Sequence, residues 1–117
     1  MAENTAVFEV KQYMIIWRQA ETRQFGDVDV VLNAMVRCIG DEYTIDVLFV
    51  AEGSDYPEPQ IDLANKKGFM FMPVARIRAF VDTLRNESPI FGHLRADKPE
   101  WTSITTTQEP VGEGETR

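Results

Sequence analysis

The sequence predicts an α+β domain: a mainly antiparallel sheet of about four to six strands, with one substantial helix at about residues 74–86 packed on one face. Three observations predict this class. Apolar side chains alternate along residues 28–38 and again along 43–49, as in half-buried strands, and a Gly-Asp pair separates the two stretches. Further along, apolar residues recur at helical spacing after Pro73. The chain of 117 residues fits a single domain, which we assign to residues 1–108.

The two alternating stretches predict a β-hairpin. With Gly40 and Asp41 as a two-residue turn, counting outward pairs Ile39 with Glu42 and sets the register of the whole hairpin. A buried apolar face is what specifies strand register, so we expect one face of this hairpin to lie in the core. The pairs on that face are all apolar: Cys38–Tyr43, Val36–Ile45, Ala34–Val47 and Leu32–Phe49.

A single amphipathic helix is predicted over residues 74–86. Pro73 suits the start of a helix, where its missing N–H group costs nothing. Asn86, followed by Pro89, suits its end. The apolar stripe that would pack on the sheet comprises Val74, Ile77, Phe80, Val81 and Leu84.

The other segments are less clearly patterned. Residues 7–19 are open to two interpretations, because the aromatic and β-branched content of residues 13–17 favours a strand that joins the hairpin, whereas the apolar spacing also suits a helix. We expect short strands at 69–72, 90–94 and 101–107, a long loop at 51–67, and a flexible, acidic, glycine-rich tail at 109–117.

Composition excludes several classes of protein. With 44% hydrophobic and 26% charged residues, the chain is typical of globular domains and not of disordered or fibrous ones. No stretch approaches the ~20 apolar residues of a membrane-spanning helix, and the first residues lack the basic and apolar regions of a secretory signal. Cys38 is the only cysteine, so no internal disulfide can form. We therefore expect a cytoplasmic protein with no membrane partner.

Charge is unevenly distributed along the chain. The net charge of −7 repels polyanions at long range, but residues 66–98 alone carry +4 and residues 1–65 carry −8. Arg78 and Arg85 are seven residues apart and share one face of the predicted helix, and Arg76 lies on a neighbouring row. Pairing of these cations with acidic groups of the same chain is the simpler interpretation of the asymmetry.

No residue pattern predicts catalysis, a cofactor or a metal site. His93 is the only histidine, and the sequence places no nucleophile or orienting group beside it, which favours a structural role. Cys38 falls on the apolar face of the hairpin, where a thiol is expected to be buried and unreactive. One histidine and one cysteine cannot form a common zinc site. The acidic residues Asp55, Glu58 and Asp62 match no known calcium loop.

These features predict a non-enzymatic binding or interaction protein, either homodimeric or bound to another protein, with the 51–67 loop and the C-terminal segment as contact surfaces. Two alternatives come from other classes. In the first, residues 66–98 bind single-stranded nucleic acid, with Trp101 as a stacking surface. In the second, a pocket near His93 and Trp101 binds or transforms a small molecule. The candidate contact residues are Arg76, Arg78, Arg85, His93 and Trp101.

Overall fold

Residues 4–106 are described by the structure, a computed structural model of the chain. They form eight β-strands in two sheets and one α-helix, which confirms an α+β fold with mainly antiparallel sheets. Residues 1–3 and 107–117 lie outside the described residues, and the tail expected at 109–117 lies there too. The assignment of residues 1–108 to one domain stays a prediction.

The helix lies between the sixth and seventh strands. Three short 3₁₀ helices occupy Leu63–Asn65, Val74–Arg76 and Pro99–Trp101. The α-helix is α1 (Ile77–Asn86), and the strands are β1 (Thr5–Val10), β2 (Gln12–Phe25), β3 (Val28–Ile39), β4 (Thr44–Val50), β5 (Gln60–Asp62), β6 (Lys67–Pro73), β7 (Ile90–Arg95) and β8 (Ser103–Thr106).

The strands divide into two sheets. The larger sheet has the order β2-β3-β4-β6-β5, and the smaller sheet has the order β1-β7-β8. Neighbouring strands are antiparallel except β4 and β6, which run parallel. Strand β2 lies at one end of the larger sheet, and no strand within residues 4–106 pairs with its outer edge. Residues 7–19, which the sequence left open between strand and helix, belong to β1 and β2, with Lys11 as the residue between the two strands.

The β3–β4 hairpin is present, but its predicted register is wrong by two residues. The loop contains residues 40–43, since the Gly40 N–H donates to the Tyr43 carbonyl over 2.9 Å and so joins the ends of a four-residue loop. The apolar face is nevertheless correct from Ala34 to Cys38, because a shift of two residues returns each side chain to the same face. Its pairs are Cys38–Ile45, Val36–Val47 and Ala34–Phe49. Leu32, which was expected on that face, lies on the other one.

A bulge at Asn33 moves the first part of β3 from one core cluster to the other. Leu32 pairs with Val50 and Ala34 with Phe49, so that Asn33 has no partner on β4. On the other side of β3, residues 18–20 of β2 have no paired residue, because the pairing passes from Trp17–Ala34 directly to Glu21–Leu32. An extra residue in one strand reverses the alternation of faces beyond it. The bulge therefore places Val30 and Leu32 on the face opposite to that of Ala34. The first cluster holds Ala34, Val36, Cys38, Ile45, Val47 and Phe49, and the second, on the other face, holds Val30, Leu32, Met35, Leu48, Val50 and Phe71.

Helix α1 packs on the first cluster through the stripe that the sequence predicts. Val81 and Leu84 are buried there, and Ile77 and Phe80 are half-buried against the same cluster. The smaller sheet packs on this cluster as well, and its contributions are Phe8, Ile90 and Leu94.

The shorter predicted elements are partly correct. Residues 69–72 and 90–94 lie within β6 and β7, and the last strand begins only at Ser103, after a 3₁₀ helix. The segment 51–67, expected to be a loop, contains β5 and a further 3₁₀ helix. This segment is therefore more ordered than its proline and acidic content indicates.

Candidate binding groove

An open groove of about 620 Å³ separates β2 from α1. Both elements supply apolar side chains to it, whereas the charged side chains come from the helix alone. The lining residues are Ile15 and Trp17 of β2, and Ile77, Arg78, Val81, Asp82 and Arg85 of α1. We call this the β2–α1 groove.

The strand side of the β2–α1 groove is formed by alternate residues of β2, which share one face. Tyr13 and Ile15 are half-buried against the first core cluster. Trp17, two residues further along the same face, is 67% exposed. An indole exposed to this extent beside an apolar groove offers a large contact area to a partner.

The helix side is a row of alternating charge. Arg78, Asp82 and Arg85 are spaced by four and three residues, so they lie along one side of α1, and the two arginines are about 10 Å apart along the helix axis. Within residues 4–106, neither arginine forms an ion pair with a carboxylate. Both are exposed, and both are therefore open to an anionic group.

A second cavity, of about 250 Å³, continues the β2–α1 groove beyond Arg85, which lines both. Its other lining residues are Val10, Lys11, Gln12 and Tyr13 on one side and Leu84, Glu87, Ser88 and Ile90 on the other. The two cavities together follow β2 from Trp17 back to Gln12. Six strand residues span about 20 Å, so the combined groove is long enough for a short extended peptide.

The outer edge of β2 that borders the groove carries no charge along residues 12–17, which read Gln-Tyr-Met-Ile-Ile-Trp. Lys11 and Arg18 flank this stretch, and they pair with Glu9 at 3.7 Å and Glu21 at 2.8 Å. An unpaired edge with this composition is a template for another strand. Charged residues at both ends confine such pairing to the uncharged stretch between them.

The structure brings together only part of the predicted contact residues. Arg78 and Arg85 line the β2–α1 groove side by side. Arg76 precedes α1 in a 3₁₀ helix and is exposed, but it does not line the groove. His93 and Trp101 belong to the region of the smaller sheet, and neither lines any of the three cavities found around β2, α1 and β6.

His93 and Trp101 are engaged by neighbours within the smaller sheet. His93 Nε2 lies 2.8 Å from the Thr105 hydroxyl, within hydrogen-bond distance. The ring of Trp101 contacts two cations, Arg95 at 5.0 Å and Lys98 at 4.4 Å from the ring centroid. These contacts hold β7, β8 and the intervening turn together, and they lend no support to a small-molecule pocket at this place.

Several cations of the basic segment 66–98 pair with acidic groups of the same chain, in line with the simpler interpretation of the charge asymmetry. The pairs are Lys66–Glu42 at 2.6 Å, Lys67–Asp46 at 3.8 Å and Arg95–Asp97 at 2.9 Å. These cations contribute little to any site for a polyanion. Arg78 and Arg85 are the exposed pair that lines the β2–α1 groove.

Cys38 is buried and free. Burial raises the pKa of its thiol to about 12, and the nearby charge of Asp46 acts in the same direction. A thiol in this state forms almost no thiolate near neutral pH, which agrees with an unreactive core residue. Within residues 4–106, no group of three or more His, Cys, Asp or Glu side chains is arranged to hold a metal ion.

The sequence did not single out Trp17 and Ile15 as contact residues. The aromatic and β-branched content of residues 13–17 favoured a strand, but the apolar spacing left a helix open as well. What makes them a contact surface is the place of β2 at the edge of the larger sheet, beside α1. The order of strands in a sheet cannot be read from the local sequence pattern. The one local sign that Trp17 is exposed is that the polar residues Arg18 and Gln19 follow it directly.

Comparison with known proteins provides no match. No protein-family model, no curated protein and no solved structure is similar to the chain. Among residues 4–106, no helix has the length and apolar character needed to cross a membrane. The function must therefore be inferred from the geometry and chemistry of this chain itself.

Proposed function

We propose that this protein is a non-enzymatic binding protein that takes up an extended segment of another protein in the β2–α1 groove. The segment adds to the free edge of β2 as a further strand, and alternate side chains of the segment fill the groove. One observation carries the proposal: the uncharged outer edge of residues 12–17 and the exposed Trp17 lie on the same strand, beside the same groove.

The two features supply different parts of the binding energy. Backbone hydrogen bonds along residues 12–17 hold any extended chain, whatever its sequence, and satisfy groups that water now solvates. Trp17 provides a rigid aromatic surface of the kind that dominates the energy of many interfaces. The apolar residues Ile15 and Val81, which line the groove, favour an apolar side chain from the partner.

A second copy of this chain would be the competing occupant and would form the predicted homodimer. Antiparallel pairing of two β2 strands along residues 12–17 sets Lys11 of each copy opposite Arg18 of the other, and like charges directly opposite one another are destabilising. These like charges favour a separate segment over a second copy.

Single-stranded nucleic acid, the alternative drawn from the basic segment, suits the groove less well. Asp82 lies between Arg78 and Arg85, so a continuous row of phosphates would meet a carboxylate. The net charge of −7 also opposes the approach of a polyanion. A protein segment with a mixed sequence avoids both penalties.

Selection from a random peptide library on the immobilised protein tests the proposal. We expect enrichment of peptides that bind with micromolar affinity and whose affinity falls about thirtyfold on Trp17→Ala, since loss of a central aromatic anchor costs about 2 kcal/mol. Trp101→Ala is the matched control, because Trp101 is also exposed, at 54%, but lies outside the groove. Isothermal titration of each variant measures the affinities.

Two results would contradict the proposal. One is a library that yields no peptide binding to the β2 edge. The other is peptides that bind Trp17→Ala as tightly as the unaltered protein. Sedimentation of the free protein decides between occupants: a dimer that Trp17→Ala dissociates would identify a second copy on β2 in place of a separate segment.

A further inference from the structure

We infer that the β2–α1 groove selects segments with two carboxylate side chains four residues apart and a non-acidic side chain midway between them. This inference rests on the proposed function, and it names the chemical class of the partner: an extended acidic segment with the pattern acidic-x-apolar-x-acidic. The features that carry it are the spacing of Arg78 and Arg85 and the position of Asp82 between them.

The spacing of Arg78 and Arg85 on α1 sets the distance between the two carboxylate side chains of the partner segment. Arg78 and Arg85 are seven residues apart on one side of α1, which corresponds to about 10 Å along the axis. Neither has a carboxylate partner within residues 4–106. Guanidinium groups bind carboxylates through paired hydrogen bonds, so each arginine is suited to one acidic side chain.

The strand geometry decides which partner residues can reach this row. In a strand added to β2, alternate side chains point to the α1 side, and positions four apart are about 13 Å from one another. Positions two apart are only about 7 Å from one another, and positions three apart point to opposite faces. Four-residue spacing is therefore the same-face spacing nearest to that of the arginines, and the long arginine side chains cover the difference of about 3 Å.

Asp82 determines what the middle position can be. It lies four residues after Arg78 and three before Arg85, so a partner side chain midway between the two acidic ones faces it. A carboxylate there would meet Asp82 and be repelled. The apolar surface of Ile15 and Val81 lies in the same part of the groove, and it favours an aliphatic side chain at this position.

Three fluorescein-labelled peptides test the pattern by fluorescence anisotropy. The first contains Glu-Thr-Val-Thr-Glu between glycine linkers, the second replaces both Glu by Gln, and the third replaces Val by Glu. We expect the first to bind at least tenfold more tightly than either of the others and to lose affinity as salt is raised. The third, although more acidic, should bind less tightly than the first, which separates selection by pattern from general attraction of negative charge.

Variants of the protein assign this preference to named residues. Arg78→Ala and Arg85→Ala should each weaken binding of the first peptide about five- to tenfold and leave the Gln peptide unaffected. Arg76→Ala is the matched control, because it removes the same charge next to the helix but outside the groove. Asp82→Asn should restore binding of the third peptide.

The outcomes separate this inference from the proposed function. If the Gln peptide binds β2 as tightly as the Glu peptide, or if Arg76→Ala weakens binding as much as Arg85→Ala, the carboxylate pattern is wrong and strand addition stands. If none of the three peptides binds at concentrations up to about 1 mM, the carboxylate pattern is overturned as well. The proposed function then depends on the library selection alone.

Discussion

Phe8→Ala is expected to reduce the free energy of unfolding by about 3–5 kcal/mol, the usual cost of removing a buried phenylalanine ring. Phe8 is 9% exposed and belongs to the first core cluster. Its ring lies against two glycines, one in the loop of the β3–β4 hairpin and one in β7 of the smaller sheet: a Cβ on Gly40 would be 2.5 Å from Phe8 Cδ2, and one on Gly92 would be 2.6 Å from both Cε1 and Cζ. The ring therefore joins the larger sheet to the smaller one.

A double-mutant cycle tests whether Phe8 acts through these close contacts. Gly92→Ala alone should cost about 1–3 kcal/mol, because the new methyl group overlaps the ring. In the Phe8→Ala background the same change should cost less, because the ring is gone and the close atom that remains, Ile45 Cδ1 at 3.0 Å, is the end of a flexible side chain. Urea unfolding measures all four proteins. If the two changes reduce the free energy of unfolding additively, the Phe8 ring does not exclude a side chain at residue 92, and this account of the contact is wrong.

Arg37→Ala is expected to cost about 2–4 kcal/mol in stability. Asp46 is 1% exposed, and Arg37 donates to both of its carboxylate oxygens, at 2.8 and 3.2 Å. The hydrogen bond with Asp46, together with the charge of Asp46, raises the pKa of the Arg37 guanidinium. Removal of Arg37 leaves a buried carboxylate with Lys67 at 3.8 Å as its remaining charged neighbour among residues 4–106. A buried charge that loses its partner is strongly destabilising.

Arg23→Ala is the control for this effect. Arg23 also donates to a carboxylate of its own sheet, that of Glu21, at 2.9 and 3.2 Å, but the Glu21 side chain is 33% exposed. Water can solvate Glu21 after the change, so the cost should stay below about 1 kcal/mol. Equal costs for Arg23→Ala and Arg37→Ala in urea unfolding would mean that the burial of Asp46 does not matter.

The fold class and the helix could be predicted because both depend on local periodicity. The stripe from Ile77 to Leu84 is visible in the sequence and is the face that α1 buries. The apolar face of the hairpin from Ala34 to Cys38 was predicted for the same reason. Its register was not, because the four-residue loop at 40–43 and the bulge at Asn33 depend on contacts with other strands.

The binding groove was only half visible in the sequence. Arg78 and Arg85 were identified from helical spacing alone, which is a local property. Trp17 lies in a segment that the sequence left open between strand and helix, and its role depends on the order of strands in the larger sheet and on the place of α1 beside β2. The division into two sheets, which leaves β2 at an edge, is likewise set by long-range pairing, and periodicity carries no information about it.

Amide hydrogen exchange with and without the Glu-Thr-Val-Thr-Glu peptide, or a peptide from the library selection, tests strand addition most directly. Only alternate amides of an edge strand point away from its existing neighbour. We therefore predict that the peptide slows exchange at every second amide within residues 12–17 of β2, and that the intervening amides, already bonded to β3, change little. Slowed exchange confined to residues 51–67 or to the smaller sheet, with β2 unchanged, would contradict the account.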